Sequence, residues 1–231
     1  MKKKIMLSCL ILFFTSIVWA QEKCEAPIWN VGDKWTYMDV TGEIWTNEVV
    51  DSRKDLYTVK FGGIQDTSLG LYEGNVYPGL VPQNLYLFDK KTLNIKYVIE
   101  RGGRYKYTNM FREFFNFPIF VGKKWREVTN GITGGIEYTL SNTFKIEGLE
   151  EVTTAAGTFN AFRIDWKLNF YILGKVYYSL NCVWGETGFI GWYRFWYSPK
   201  VKTWVKRESQ TGQWWSDRTY WYRNAELISY E

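Results

Sequence analysis

Carboxylates are the residues of this chain best suited to chemistry. Glycoside hydrolysis needs two of them about 5–10 Å apart, with aromatic platforms to hold the sugar. Glu147, Glu150 and Glu151 lie close together ahead of Ala155-Ala156-Gly157, and Asp165 and Glu186 stand singly. Acids at a strand end and in a turn are most simply solvated charges, so no catalytic residue is assigned. A carbohydrate-active hydrolase using paired carboxylates is kept as an alternative function. Other chemistries are closed off by composition, because the chain has no histidine. That removes Ser-His-Asp and Cys-His mechanisms, His-ligated zinc or haem, and a histidine pH switch. The sequence also lacks Cys-x-x-Cys, Gly-x-Ser-x-Gly, Ser-x-x-Lys, a phosphate loop and a calcium loop. Neither a metal nor a cofactor is expected.

The first residues fix the compartment. Met1-Lys2-Lys3-Lys4, an apolar run from Ile5 to Trp19, and Ala20 ahead of Gln21 have the three parts of a secretory signal. The run is shorter than the roughly 20 residues that span a bilayer, so cleavage near Ala20 is expected and no transmembrane span remains. The mature chain is then periplasmic or extracellular. Cys24 follows Gln21-Glu22-Lys23, which is not a lipidation site. Cleavage removes three lysines and no acid, lowering the formal charge from +5 to +2. With neither a basic stripe nor a Lys/Arg block, nucleic acid and anionic membrane are not expected partners, and a protein partner is left open. Cys24 and Cys182 survive cleavage, and a bridge between them would close a loop of about 158 residues, worth about 5 kcal/mol in the chain-entropy model. Two unpaired thiols are the equal alternative.

The positioning elements are strands. From Ile136 to Glu147, the residues Ile136, Tyr138, Leu140, Phe144 and Ile146 fall on one face and charged or hydroxyl residues on the other. Asn142 interrupts the apolar series, marking a bulge or a buried polar group that needs a partner. Phe162, Ile164 and Trp166 repeat the alternation against Arg163, Asp165 and Lys167. Further strands are expected at Lys34 to Val40, Glu43 to Ser52, Leu56 to Phe61, Asn84 to Asp89, Gly188 to Tyr197 and Val201 to Glu208. Short Gly- and Pro-containing links between them imply antiparallel neighbours. The expected fold is mostly β: a curved antiparallel sheet or half-barrel of about eleven strands. Thr108 can cap a short helix near residues 109–116 whose Met110, Phe111, Phe114 and Phe115 share a face, or the same stretch can run as a strand into an aromatic loop. Val31-Gly32-Asp33-Lys34-Trp35 is echoed 90 residues later by Val121-Gly122-Lys123-Lys124-Trp125. Residues 21–231 therefore read as one domain with room for two β meanders, 27–116 and 117–231.

The chain holds 13 Trp, 17 Tyr and 15 Phe, and the stretch Gly188 to Pro199 is aromatic on both faces. Such strands occur where a sheet has a core on one side and a ligand or partner on the other. Trp192, Trp196 and Trp204, together with Met110, Phe111, Phe114 and Phe115, are the candidate binding residues for a hydrophobic, lipid-like or glycan ligand. An outer-membrane β-barrel is a second alternative, because alternation and aromatic content suit it.

Val31 to Tyr37, Glu151 to Phe159, Trp196-Tyr197-Ser198-Pro199 running into Val205-Lys206, and Glu226-Leu227 together resemble a family of exported bacterial proteins, a domain of unknown function sometimes called TapB-like. The resemblance spans most of the mature chain. It implies an envelope or secreted β protein and brings no catalytic residue or ligand with it. The overall pattern is also similar to half-barrel lipoprotein carriers, in which a curved sheet holds an apolar ligand.

Because residues 18–21 fit a cleavage site, mass spectrometry of the exported protein should find Gln21 as its first residue. Retention of residues 1–20, or a lipid on Cys24, would overturn that expectation.

Overall fold

Alternating sequence becomes strand wherever the chain is described. The computed structural model describes residues 23–62, 84–100, 103–106, 115–133, 136–173, 175–178, 181–184, 187–211 and 224–231. Its strands are β1 (Lys34–Asp39), β2 (Ile44–Arg53), β3 (Leu56–Gly62), β4 (Asn84–Asp89), β5 (Ile95–Glu100), β6 (Gly103–Lys106), β7 (Lys124–Thr133), β8 (Ile136–Thr154), β9 (Gly157–Leu173), β10 (Lys175–Tyr178), β11 (Asn181–Trp184), β12 (Thr187–Ser198), β13 (Thr203–Thr211) and β14 (Ala225–Tyr230). Twelve form one antiparallel sheet in the order β6-β5-β4-β3-β2-β1-β14-β13-β12-β9-β8-β7, and β10 and β11 make a separate hairpin. The sheet is open, since β6 and β7 end it without pairing with each other. No helix occurs among the described residues; Phe115 and Asn116 are irregular, while 109–114 of the expected helix and the whole signal segment lie outside them.

The alternation from Ile136 holds in β8, where Leu140, Asn142, Phe144 and Ile146 are fully buried. Asn142 is the buried polar group and not a bulge: its Oδ1 accepts the indole N–H of Trp166 at 3.0 Å on neighbouring β9. The bulge falls later, between Ile146 and Gly148.

The Val-Gly echo is a repeated piece of geometry. In each copy the residue after glycine donates to a carbonyl three residues back, Asp33 to Asn30 at 3.0 Å and Lys123 to Phe120 at 3.1 Å. Gly32 and Gly122 take φ +98° and +87°, a left-handed conformation that glycine adopts without Cβ strain. Each turn then clips to the next strand by two bonds. Gly32 and Asp33 bond the backbone of Val49, and Gly122 and Lys123 bond that of Ile146. One residue beyond each clip the strand bulges, between Val49 and Asp51 and between Ile146 and Gly148. The correspondence continues at the β4–β5 and β12–β13 turns. Leu93 donates to Asp89 at 2.8 Å and Lys202 to Ser198 at 2.9 Å, with φ +54° and +64° at the donors. A bulge follows each turn, pairing Phe88 with Ile95 and Tyr197 with Trp204.

The two meanders meet at β1 and β14, and there the sheet is split. β13 and β14 pair at two positions, Lys206 with Glu226 and Arg207 with Ala225, before parting. Beyond that point the β8–β9 hairpin tip reaches β14, Ala156 donating to the Leu227 carbonyl at 3.2 Å. The tip lies several strands away in the sheet order, so the sheet must curve to bring it there. On the β13 side, carbonyls of residues 201–204 receive side-chain donors from the first meander: Trp35 Nε1 to Val201 at 2.7 Å, Trp29 Nε1 to Lys202 at 3.0 Å, and Tyr37 OH to Trp204 at 3.2 Å. Lys202 adds an ion pair to Asp33 at 2.8 Å.

Trp35→Phe would leave the Val201 carbonyl buried without its donor, a loss of about 1–3 kcal/mol. Urea unfolding should register a lowered midpoint for this variant, with Trp192→Phe on the solvent face shifting it by less than about 0.5 kcal/mol. Equal effects would show that the Trp35 bond does not hold the split together.

Candidate functional site

The face of the sheet opposite the core carries a lattice of charges across β8, β9, β12 and β13. It arises because Arg163, Asp165 and Lys167 alternate with core residues on β9, and Trp192, Arg194 and Trp196 alternate with Tyr193, Phe195 and Tyr197 on β12. Register then sets Trp192 opposite Lys167, Arg194 opposite Asp165, and Trp196 opposite Arg163. On the other side of β12, Arg194 faces Glu208 and Trp196 faces Lys206.

Arg194 is the centre of this lattice. Its Nε donates to Asp165 Oδ1 at 2.9 Å and its Nη1 lies 3.9 Å from Glu208 Oε2. The pair with Asp165 raises the proton affinity of the guanidinium above its ordinary value and keeps it charged. Arg163 extends the chain to Glu150 at 3.3 Å, and Lys206 pairs with Glu208 at 2.8 Å. The two tryptophans differ sharply in setting. Trp196 is 6% exposed, its indole N–H bonded to Glu150, with Lys206 Nζ 5.0 Å from the ring centroid. Trp192 is 49% exposed, with Lys167 Nζ 4.8 Å from its ring. Asp165, Trp192, Tyr193, Arg194 and Glu208 line a shallow open cleft beside that exposed ring.

The structure therefore divides the residues singled out from sequence. Trp192 and Trp196 share the solvent face. Trp204 lies on the core face, stacked on Tyr37 at 3.9 Å and near Trp45 at 6.4 Å, because the turn and bulge set it opposite Tyr197. Phe115 is also on the core side. Its backbone is held by both amide atoms of Asn94, at 3.0 and 3.1 Å, and its ring lies 5.3 Å from Tyr197. Met110, Phe111 and Phe114 fall outside the described residues. Cys24 pairs through its backbone with Ile119, at 2.8 Å in both directions. Cys182 sits in β11 opposite Tyr177, and its side chain is outside the described set.

Glu147, Glu150 and Asp165 are dispersed into ion pairs, and Glu186 lies outside the described residues. Glu147 pairs with Lys145, which holds its carboxyl below the usual carboxylate range. Glu150 serves Arg163 and Trp196. Asp165, which stands alone in sequence, gains Glu208 as a neighbour across Arg194, a placement that the bulge beside Trp196 hides from simple counting. A glycosidase acid needs its proton held more tightly than usual. The carboxyls that move here move the other way: burial pushes Asp89 up, but the Lys96 pair and the backbone N–H groups of Thr92 and Lys91 outweigh it and bring it down. Among the described residues no three Cys, Asp or Glu gather as metal ligands. The charged lattice also differs from the apolar outward band of a membrane barrel.

No family model matches the chain and no curated protein matches it. Solved structures do align over most of its length. One is a Bacteroides fragilis protein of YmcC-like fold assigned as exported, with 13% identity, TM-score 0.41, and 90% of this chain and 99% of that one covered. A second, from Parabacteroides distasonis and assigned as a lipoprotein, gives 11% identity, TM-score 0.41, and 91% and 100% coverage. The hypothetical lipoprotein YmcC of Escherichia coli gives 11% identity, TM-score 0.37, and 86% and 82% coverage.

Titration should reveal the buried core beneath the cleft. Burial pushes the Tyr193 hydroxyl up to about 12, and burial likewise raises Tyr37 and Tyr197. A folded-state value above the unfolded one stabilises fully below pH about 10 and is lost as pH rises past it, by about 1.4 kcal/mol per unit for each tyrosine. Urea midpoints should hold steady up to pH about 10 and then fall steeply. A midpoint that stays unchanged well above pH about 10 would contradict this burial.

Proposed function

We propose that the mature protein is an exported, non-enzymatic binding protein that takes a ring-containing ligand, of the glycan kind, on the solvent face of its sheet. The observation that carries this reading is Trp192, a large ring left half-exposed beside Asp165, Arg194 and Glu208, whereas Trp196 four residues further along the same face is covered. A sugar face stacks on an indole through its C–H groups, and its hydroxyls bond to carboxylate and guanidinium groups such as those of Asp165, Arg194 and Glu208. The export half of the reading rests on residues 1–20. The polar lattice supports a ligand with hydroxyls over a purely apolar one, because fully desolvating these ions against a lipid chain would cost several kcal/mol each.

The test is a glycan panel read by tryptophan fluorescence and calorimetry. Trp192→Ala should weaken binding about fivefold or more, in keeping with a stacking contribution of about 1 kcal/mol or above, while leaving the urea midpoint nearly unchanged. Trp204→Phe, on the core face, should leave affinity intact. Absence of saccharide binding at millimolar concentration, or unchanged affinity in Trp192→Ala, overturns the proposal. Glycan cleavage abolished by Asp165→Asn would replace it with the hydrolase.

A further inference from the structure

The sheet consists of two meanders that correspond strand for strand. β1 to β5 match β7, β8, β9, β12 and β13 in turn geometry, clip bonds and bulge positions, which leaves β6 and β14 as their respective last strands. The last strand of the second meander, β14, pairs with the first strand of the first, β1. The counterpart of β1 is β7, and among the described residues β7 pairs on one side, with β8. We infer that the outward edge of β7 is a docking site for an extended acidic strand of a partner protein, seated as β14 seats on β1.

Backbone geometry defines the edge. Lys34 exchanges both of its hydrogen bonds with Glu231, at 3.1 and 3.0 Å. Its counterpart Lys124 holds the same place relative to β8 that Lys34 holds to β2, so its N–H and C=O face outward. In an antiparallel strand every second residue does the same, which adds Arg126, Val128 and Asn130. The side chains of these four residues are exposed.

Charge defines the partner. Lys34 stands between two acids, opposite Glu48 on β2 and bonded through its backbone to Glu231. Lys124 stands opposite Lys145, whose ammonium is already paired with Glu147. Lys124 and Arg126 leave this edge basic, so a carboxylate arriving on the outward side is favoured there. Lysine on an edge ordinarily discourages pairing; here it repels a basic strand and admits an acidic one. That disfavours β6 as occupant, whether from this chain or a second copy, since its four residues include Arg104 and Lys106.

The chain supplies its own probe, a labelled peptide with the sequence of residues 225–231, Ala-Glu-Leu-Ile-Ser-Tyr-Glu. Fluorescence anisotropy with the mature protein should show saturable binding. It should weaken about tenfold when both peptide glutamates become lysine, and again when the protein carries Val128→Pro. That proline removes an outward N–H and leaves the β7–β8 ladder intact, and a urea midpoint checks the fold. Should Val128→Pro unfold the protein, Lys124→Glu with Arg126→Glu takes its place and should prefer the lysine peptide. The inference fails if no binding saturates, if acidic and basic peptides bind alike, or if the peptide instead displaces β14 and ignores both edge variants. Self-association that Val128→Pro abolishes would assign the edge to a second copy and overturn the acidic partner.

Discussion

The structure turns on a place where a β-ladder runs out. β13 and β14 pair at two positions and then separate, and beside that gap lie the carbonyls of Val201 and Lys202 in the turn before β13 and of Trp204 at its start. Indole and phenol donors from Trp29, Trp35 and Tyr37 take the place of the missing backbone N–H groups. The bond to Val201 is buried, and its carbonyl left alone would cost about 1–3 kcal/mol, a sizeable share of the 5–15 kcal/mol that holds a whole domain, while the bonds to Lys202 and Trp204 are partly buried. These donors come from the start of the first meander and their acceptors from the second. Joining the two halves into one sheet therefore depends on side chains as much as on the β1–β14 ladder.

That arrangement commits the core face to cohesion. Trp29 packs between Trp35 at 5.2 Å and Tyr57 at 5.4 Å, Tyr37 lies against Trp204, and Tyr197 receives Phe115 and Phe117. Asn94 fixes the 115–117 segment by its amide and so brings the β4–β5 turn of one meander to the β12 strand of the other. Recognition on this face would have to disturb the joint itself. The charged face has no such duty. Its ion pairs are partly exposed and each worth about 0–1 kcal/mol, so exchanging one for a ligand contact costs the fold little.

The sequence announces strands well and their faces less well. The run through Leu140, Phe144 and Ile146 is legible because strict alternation leaves a single burial solution, and Asn142 is legible as a polar guest needing a partner. The face that Trp204 takes is hidden for a local reason. The turn after Ser198 and the bulge at Trp196 set it against Tyr197 on the core face, away from Trp192. Arg194 meets Glu208 through the same register, which no periodic count would find. The two six-residue turns at Asp89 and Ser198 share almost no sequence, because a left-handed fifth residue and one hydrogen bond define them and several side chains satisfy both. The Gly32 and Gly122 turns are visible because their third position requires a conformation that favours glycine.

Aromatic abundance alone is a poor guide to ligand binding in such a fold. Most described rings serve the protein itself. Trp166 gives its N–H to Asn142, Trp196 gives its own to Glu150, and Trp29, Trp35 and Tyr37 give theirs to carbonyls. An aromatic side chain suits this role because it spans a wide core and still ends in a donor, which leucine or phenylalanine cannot do. Trp192 departs from the pattern. Half its surface faces water, a cation lies over its ring, and acids and an arginine flank it in the cleft. A ring that contributes little to the core and keeps its surface in solvent forgoes about 25 cal/mol for each Å² it leaves uncovered. Among the described residues other apolar side chains are also exposed, but of the two exposed aromatic rings Trp192 leaves more of its surface in water than Tyr230, 49% against 37%, and that is the area the proposed ligand would cover.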